Sequence, residues 1–477
     1  MSNLSELLPT GGGQNAVDFV ASGTLSSGQT VALKADGTVE AVGETSETAS
    51  LGTESVFTTN TPNEIKAAYD VASGKMVIAY VDATNPYYGT AVVGTISGDT
   101  ISFGTPVVFQ SAGSSEIAIT YDSAAQKIVV VYYETNGFGI VGTVSGTSIS
   151  FGTRVQFNSG QSQQNSLTYD STNNKIIVAY RDGSNADRGT AIIGTVSGTT
   201  ISFGSEYLFN PNGVSYPQVT YDSTNQKVVF VYKDDGNSAR LSAIVGTVSG
   251  TSISFGAEQT TVNGTNYATA YGLVYATNGK VVCLYKDDTL NRLYSVVGTV
   301  SGTTISFGSQ VLLGSGPSYI SLGYHESRQV AVAMWKAGSN MVVSSGTVSG
   351  TTIAWSSTTI VETSNSEFST VAYDSSGQQM LLAWAYYTSS WDGGANTFLP
   401  AYTATNVANF IGITAEAIAD TATGAVNVYG GINEAQTGLT IGADYYVQDD
   451  GSISTTSSAV KIGQAISATT INMMDLT

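Results

Sequence analysis

The chain has 477 residues and a formal charge of −19, with 11% charged residues, 42% hydrophobic residues and 53 glycines. So few charges exclude a disordered polyelectrolyte, the glycines favour a turn-rich β fold, and the acidic balance excludes nucleic acid as a partner. No apolar run approaches the roughly 18 residues of a spanning helix, so no membrane span is expected, and the first residues lack the charged and apolar regions of a secretory leader.

In chain order, Met1 to Pro9 reads as a short arm and Gly11-Gly12-Gly13 as a hinge, since the triplet lacks the Lys-Ser/Thr ending of a phosphate loop. From Val17 to Val42 the pattern turns to strands, with Thr30 to Lys34 and Thr38 to Val42 flanking the hairpin signal Asp36-Gly37. A similar stretch, Gly442 to Ile453, carries Tyr445-Tyr446-Val447 before Asp450-Gly451. The two chain ends therefore read as halves of one small β domain, residues 1–46 and 408–477.

Residues 47–407 are a repeat array. The phrase Gly194-Thr195-Val196-Ser197-Gly198-Thr199-Thr200-Ile201-Ser202-Phe203-Gly204 returns at Gly246 to Gly256 and at Gly298 to Gly308, and each copy reads as a β-hairpin. Its Phe-Gly mark falls at Phe103, Phe151, Phe203, Phe255 and Phe307, is degenerate at Trp355, and has a forerunner at Leu51-Gly52. A second mark, Tyr-Asp, falls at Tyr69, Tyr121, Tyr169, Tyr221 and Tyr373, with weaker counterparts at Tyr275 and Tyr324. Both count seven, at the spacing of a four-stranded propeller blade.

The expected fold is all-β: a seven-bladed β-propeller closed by strand exchange, plus the small discontinuous β domain. In unit two, strands A to D are Ile117 to Tyr121, Lys127 to Tyr133, Gly139 to Val144 and Ser148 to Phe157. The seventh unit offers A (Phe368 to Tyr373), B (Gln379 to Tyr386) and C (Thr397 to Thr403), and the early strand from Leu51 to Thr58 should complete it. Asp70, Asp122, Asp170, Asp222 and Asp374 open the A-to-B turns, where carboxylates bond backbone N–H groups. His325 takes that position in unit six and reads as an exposed turn residue.

The A-to-B and C-to-D turns are nearly uniform, whereas the B-to-C and D-to-A loops vary in length and chemistry. In an up-and-down blade the varied classes share one face, which is where recognition is expected. Both chain ends should leave on the uniform side, with the end domain beneath the ring as its mount.

On the varied face, Tyr87, Tyr88, Phe138, Tyr216, Tyr267, Tyr319, Tyr387 and Trp391 lie among small polar residues and are candidate ligand contacts, because flat amphipathic rings suit sugar or protein surfaces. Asp82, Glu134, Asp182, Asp234 and Asp287 follow strand B at equivalent positions and form a candidate carboxylate ring, for Ca²⁺ or for glycosidic acid–base chemistry, or else cap their own turns. One histidine and one cysteine, Cys283 in an apolar run, leave no His/Cys metal site, no disulfide and no nucleophile–histidine arrangement except one built on His325. No metal, cofactor or catalytic residue is assigned, and the six arginines show no cluster.

The ends carry a resemblance that the ring does not. Leu7-Leu8-Pro9-Thr10-Gly11-Gly12-Gly13-Gln14-Asn15, Val17 to Gly23, Phe410 to Ile418 and Tyr445-Tyr446-Val447-Gln448 resemble the flanks of virion structural proteins of tailed bacteriophages, which bracket different repeat domains in tail-fibre-like and head-decorating proteins. The resemblance implies a protein made in the host cytoplasm and carried in several copies on the virion surface, its end domain attached to capsid or tail proteins and its propeller turned outward. The expected function is non-enzymatic adhesion to host-surface glycan or protein. The alternatives are a capsid decoration protein that stabilises the shell and a glycan-degrading propeller enzyme using the strand-B carboxylates.

Overall fold

The computed structural model describes residues 15–260 and 268–474. The arm Met1 to Pro9, the hinge Gly11 to Gly13 and the candidate contact Tyr267 lie outside the described residues. The chain divides into two compact units, one of residues 49–401 and one of residues 1–48 with 402–477.

The larger unit is a seven-bladed propeller. Blade one pairs strands A (Pro62–Asp70), B (Lys75–Asp82), C (Tyr88–Ser97) and an interrupted D (Thr100–Phe103 and Val107–Gly113) in order. Five further blades repeat this, and Thr200–Asp222 runs unbroken from strand D of blade three into strand A of blade four. The A strands of successive blades pack side by side, and blade seven's Asn365–Asp374 meets blade one's Pro62–Asp70 to close the ring.

The closing strand comes from the start of the chain. Ser50–Leu51 and Ser55–Thr58 pair with blade seven's strand C, Trp391–Leu399, through Leu51 opposite Phe398 and Val56 opposite Gly394. Thr53 N then donates to Asp99 O of blade one at 2.8 Å.

Strand C of blade seven corrects the sequence reading. It begins at Trp391, whose partner is Tyr387, and ends at Leu399, while Tyr402–Thr405 pairs with Glu44–Glu47 in a separate ribbon. Gly393 and Gly394 lie within this strand, where the Phe57 ring leaves no room for a Cβ on Gly393 and the Trp384 ring lies close over Gly394.

The repeat marks are contact points between blades. A Cβ on Gly152 would overlap the Thr199 carbonyl in the next blade's C-to-D turn, so only glycine admits that approach. In that turn Gly198 holds φ at 60°, a left-handed value suited to a two-residue hairpin turn. The landmark tyrosines reach back to the preceding blade: Tyr221 Oη donates to Thr172 Oγ1 at 2.6 Å, and Tyr121 Oη accepts from Ala72 N at 3.1 Å. Asp122 accepts from Ala124 N and Ala125 N, the turn role read from its position.

His325 is fully buried, against expectation, with its ring 4.7 Å from that of Tyr373. Nδ1 accepts from Arg328 N at 3.3 Å, as an Asp carboxylate does elsewhere, and Nε2 lies 2.9 Å from Gln378 O. Neutral imidazole with Nε2 protonated does the aspartate's work and adds a bond to the next blade. Cys283 is buried as expected, its thiol pushed up to about 12 by burial.

In the smaller unit, one five-stranded sheet interleaves both chain ends in the order Ala16–Val20, Thr423–Val428, Phe410–Thr414, Thr30–Leu33, Val39–Ala41. A second uses Ile432–Asn433, Ile471–Met473, Val460–Ala465, Asp444–Val447 and Ile453–Ser454. Val31, Val39, Ile411, Val426 and Val428 form the core of the first sheet. Among the described residues no helix is long and apolar enough to cross a membrane.

Candidate functional site

The A strands share an irregularity at the rim of the varied face. In blade one Asn63 pairs with Val81 but Lys66 pairs with Ala79, so Glu64 and Ile65 stand opposite one residue. The same kind of bulge interrupts strand A in every other blade, between Ser115 and Ala118, Gln163 and Ser166, Ser215 and Gln218, Ala270 and Gly272, Ser318 and Ser321, and Glu367 and Ser369.

In six blades a bulged residue other than glycine has a left-handed φ: Glu64 51°, Glu116 58°, Gln164 52°, Tyr216 52°, Tyr319 49° and Phe368 45°. Such a φ costs an L-residue about 1–2 kcal/mol. Repeated strain of this kind re-aims side chains, the common use of bulges beside functional sites. Here Glu64, Tyr216, Tyr271, Tyr319 and Phe368 line one cavity of about 330 Å³ with Lys66 and Lys286.

The rim has two chemically different halves. In blades one to three each bulge side chain latches the following blade: Glu64 accepts from Ile117 N at 3.2 Å, Glu116 from Gln164 N at 2.7 Å, and Gln164 Oε1 from Tyr216 N at 2.6 Å. In blades four to seven aromatic pairs replace the latches, with Tyr216 and Tyr271 ring centroids 5.8 Å apart and those of Tyr319 and Phe368 5.2 Å apart.

Enclosure raises the Glu64 carboxyl to about 7, with help from the Glu116 charge and opposition from the Ile117 and Glu116 N–H groups and Lys66. Burial likewise raises Glu116, opposed by Gln164 N–H, Lys66 and Arg181. Lys66 is exposed at the cavity, and Glu64 and Glu116 act on its charge in the favourable sense.

Of the candidate aromatics, Tyr216 and Tyr319 meet at this cavity. Tyr387 and Trp391 pair at the tip of blade seven, with centroids 5.5 Å apart. Tyr87 is exposed in the loop of blade one, Tyr88 opens its strand C, and Phe138 packs inside blade two under the Arg154 guanidinium at 4.2 Å.

The five carboxylates belong to five different blades, and four of them are the last residue of their strand B. Asp82, Asp182, Asp234 and Asp287 are buried and accept from Thr84 N, Ser184 N, Gly236 N and Thr289 N, and Glu134 bonds Arg154. Asp182 and Asp234 are raised by burial and then by Glu206 and Glu258. Those glutamates accept from Tyr180 at 2.8 Å and Tyr232 at 3.0 Å, and from Asn158 and Asn210 of the preceding blades. Among the described residues no group of three or more His, Cys, Asp or Glu is placed to hold a metal ion.

Glu64, Lys66, Glu116, Gln164, Tyr271, Lys286 and Phe368 escaped the sequence reading. The bulge residue lies five positions before the landmark tyrosine in six blades, where the chain reads Glu, Glu, Gln, Tyr, Tyr and Phe. Varied chemistry at a fixed offset from an unvaried mark was the available signal.

No family model matches the chain, and no curated protein matches it. Solved structures do. The NanB sialidase from Streptococcus pneumoniae, in complex with a chlorobenzylammonio-ethanesulfonate, is 11% identical over 73% of this chain and 70% of its own, with a TM-score of 0.44. A protein from Lactobacillus plantarum is 13% identical over 72% of this chain and 96% of its own, with a TM-score of 0.48. Likeness at this level assigns no function.

Proposed function

We propose that this propeller is an adhesion module that binds surface glycan at the inner rim of its varied face without cleaving it. In this reading the terminal unit attaches it to a virion, in keeping with the resemblance of the chain ends to phage structural proteins. One observation carries the glycan reading: a cavity on the ring's inner strands is lined by four aromatic side chains, three held at left-handed φ, beside carboxylate and ammonium groups. Flat rings suit the apolar face of a pyranose and the polar groups suit its hydroxyls. The test is binding of the purified protein to host-surface polysaccharide. Tyr319→Ala and Tyr216→Ala should each weaken it about tenfold, as expected for loss of an aromatic contact, and unchanged binding would remove the rim from the reading.

The enzymatic alternative is favoured by the neighbouring Glu64 and Glu116, both raised and near Lys66. A glycosidase needs one protonated and one ionised carboxyl. Release of reducing ends from bound polysaccharide, abolished by both Glu64→Gln and Glu116→Gln, would establish it over adhesion.

A further inference from the structure

We infer that the glycan taken at this rim is acidic, its carboxylate received by Lys66 and Lys286 while the sugar face rests on the aromatic half. This inference rests on the glycan reading above. Both lysines line the cavity, one from blade one and the other from blade five, so they approach it from well-separated parts of the ring.

Several other lysines and arginines in the propeller are engaged by neighbours. Arg181 bonds Asp187 at 2.7 Å, Lys233 pairs with Asp288 at 3.4 Å, Arg154 bonds Glu134, and Lys336 donates to Asn365 Oδ1 at 2.7 Å. No ion pair or hydrogen bond within the described residues ties the ammonium of Lys66 or of Lys286. Lys66 is exposed at the cavity and Lys286 half-buried; neither ammonium has a hydrogen-bond acceptor of its own there, and a ligand carboxylate would supply one as a charge-assisted bond. The net charge of −19 repels anions at long range, so selectivity for one must come from local cations such as these.

Glu64 adds a pH lever. The groups acting on it are Glu116 and Lys66, with Arg181 acting on Glu116; across the cavity stand Lys286 and the phenols Tyr216 and Tyr271, the latter pushed up to about 12 and so neutral. As Glu64 takes a proton near pH 7, the cavity loses a negative charge beside Lys66. An anionic ligand should therefore bind more tightly at pH 6 than at pH 8.5, and a neutral ligand equally at both.

The test is affinity electrophoresis of the full chain through gels containing polygalacturonate, alginate or hyaluronan, the same polymers after carboxyl reduction, or dextran. Expected is retardation by at least one acidic polymer at pH 6, weakened tenfold or more by carboxyl reduction and about fivefold by pH 8.5. Lys66→Met and Lys286→Met should each reduce retardation about tenfold, Lys66→Arg and Lys286→Arg should preserve most of it, and Glu64→Gln should abolish the pH dependence. The arginine variants also report whether the cavity stays folded. Equal retardation by acidic and carboxyl-reduced polymers, or by dextran, would overturn the acidic class and leave the glycan reading standing. Retardation by none of them would sink both.

Discussion

Glu64→Gln should stabilise the propeller, and only above acid pH. The Glu64 carboxyl is held at about 7 against an ordinary 4.5. At about 1.4 kcal/mol per pH unit, its ionised form is penalised in the folded state by at most about 3 kcal/mol. Water at the rim screens part of that, leaving roughly 2 kcal/mol. The folded value lies above the unfolded one, so the penalty is absent while both states are protonated, grows as pH rises from 4.5 to 7, and is constant beyond. Glutamine keeps an oxygen to accept from Ile117 N and carries no charge. The variant's melting temperature, followed by calorimetry from pH 4 to 8.5, should diverge upward from the parent's between pH 4.5 and 7 and finish roughly 2–4 °C above it. A difference constant across that range, or largest in acid, would refute the reasoning that enclosure raises this carboxyl.

His325 gives the opposite profile. Burial holds its imidazole down to about 4 from 6.5, so stability from this group is lost as pH falls from 6.5 to 4, by up to about 3 kcal/mol. His325→Asp, which installs the acceptor used at this turn in most other blades, should move that loss below pH 4 in acid-unfolding curves. Phe57→Ala removes a buried ring packed on Tyr80 and Phe103 at centroid distances of 5.5 and 6.0 Å and should cost about 3–5 kcal/mol, read as a shifted denaturant midpoint. Gly152→Ala forces a Cβ into the Thr199 carbonyl and should lower the midpoint by more than Gly198→Asn, a change at a left-handed turn position that Asn tolerates.

The ring was legible because contacts between blades select the same residues each time. Gly152 is fixed by a neighbouring carbonyl, Gly198 by a left-handed turn, Tyr221 by a hydroxyl bond to the previous blade and Asp122 by two backbone donors. These requirements do not change from blade to blade, so they print as a period. The rim was illegible for the reverse reason. Nothing in Glu64, Gln164 or Phe368 announces a left-handed bulge, because glycine, the usual residue for it, is absent and the shift exists only in the pairing of strands A and B. His325 was misread because position alone assigned it to an exposed turn, whereas its second nitrogen reaches the next blade. Starting strand C of blade seven at Thr397 leaves Trp391 between strands, whereas the strand begins at Trp391 and its glycines 393 and 394 accommodate the Phe57 and Trp384 rings.

The two halves of the rim differ in how freely they can change. Glu64 lines the cavity while holding the next blade's backbone, Glu116 holds the following blade and acts on the Glu64 carboxyl, and Gln164 holds the Tyr216 backbone at the cavity, so altering one disturbs both the cavity and the joint between blades. Tyr216, Tyr319 and Phe368 keep the strained backbone without holding the next blade's backbone through their side chains; Tyr319 instead meets the Glu367 carboxylate and the Phe368 ring of the next blade. Substitution in the aromatic half should therefore alter ligand choice at little cost to stability, and substitution in the polar half should alter both together. Comparing Tyr319→Ala with Glu116→Ala makes the distinction measurable: weakened binding with a melting temperature within about 1–2 °C of the parent for the first, and for the second a loss of roughly 1–3 kcal/mol from an unsatisfied Gln164 N–H. Equal stability losses in the two variants would mean that the aromatic bulges also pin the ring.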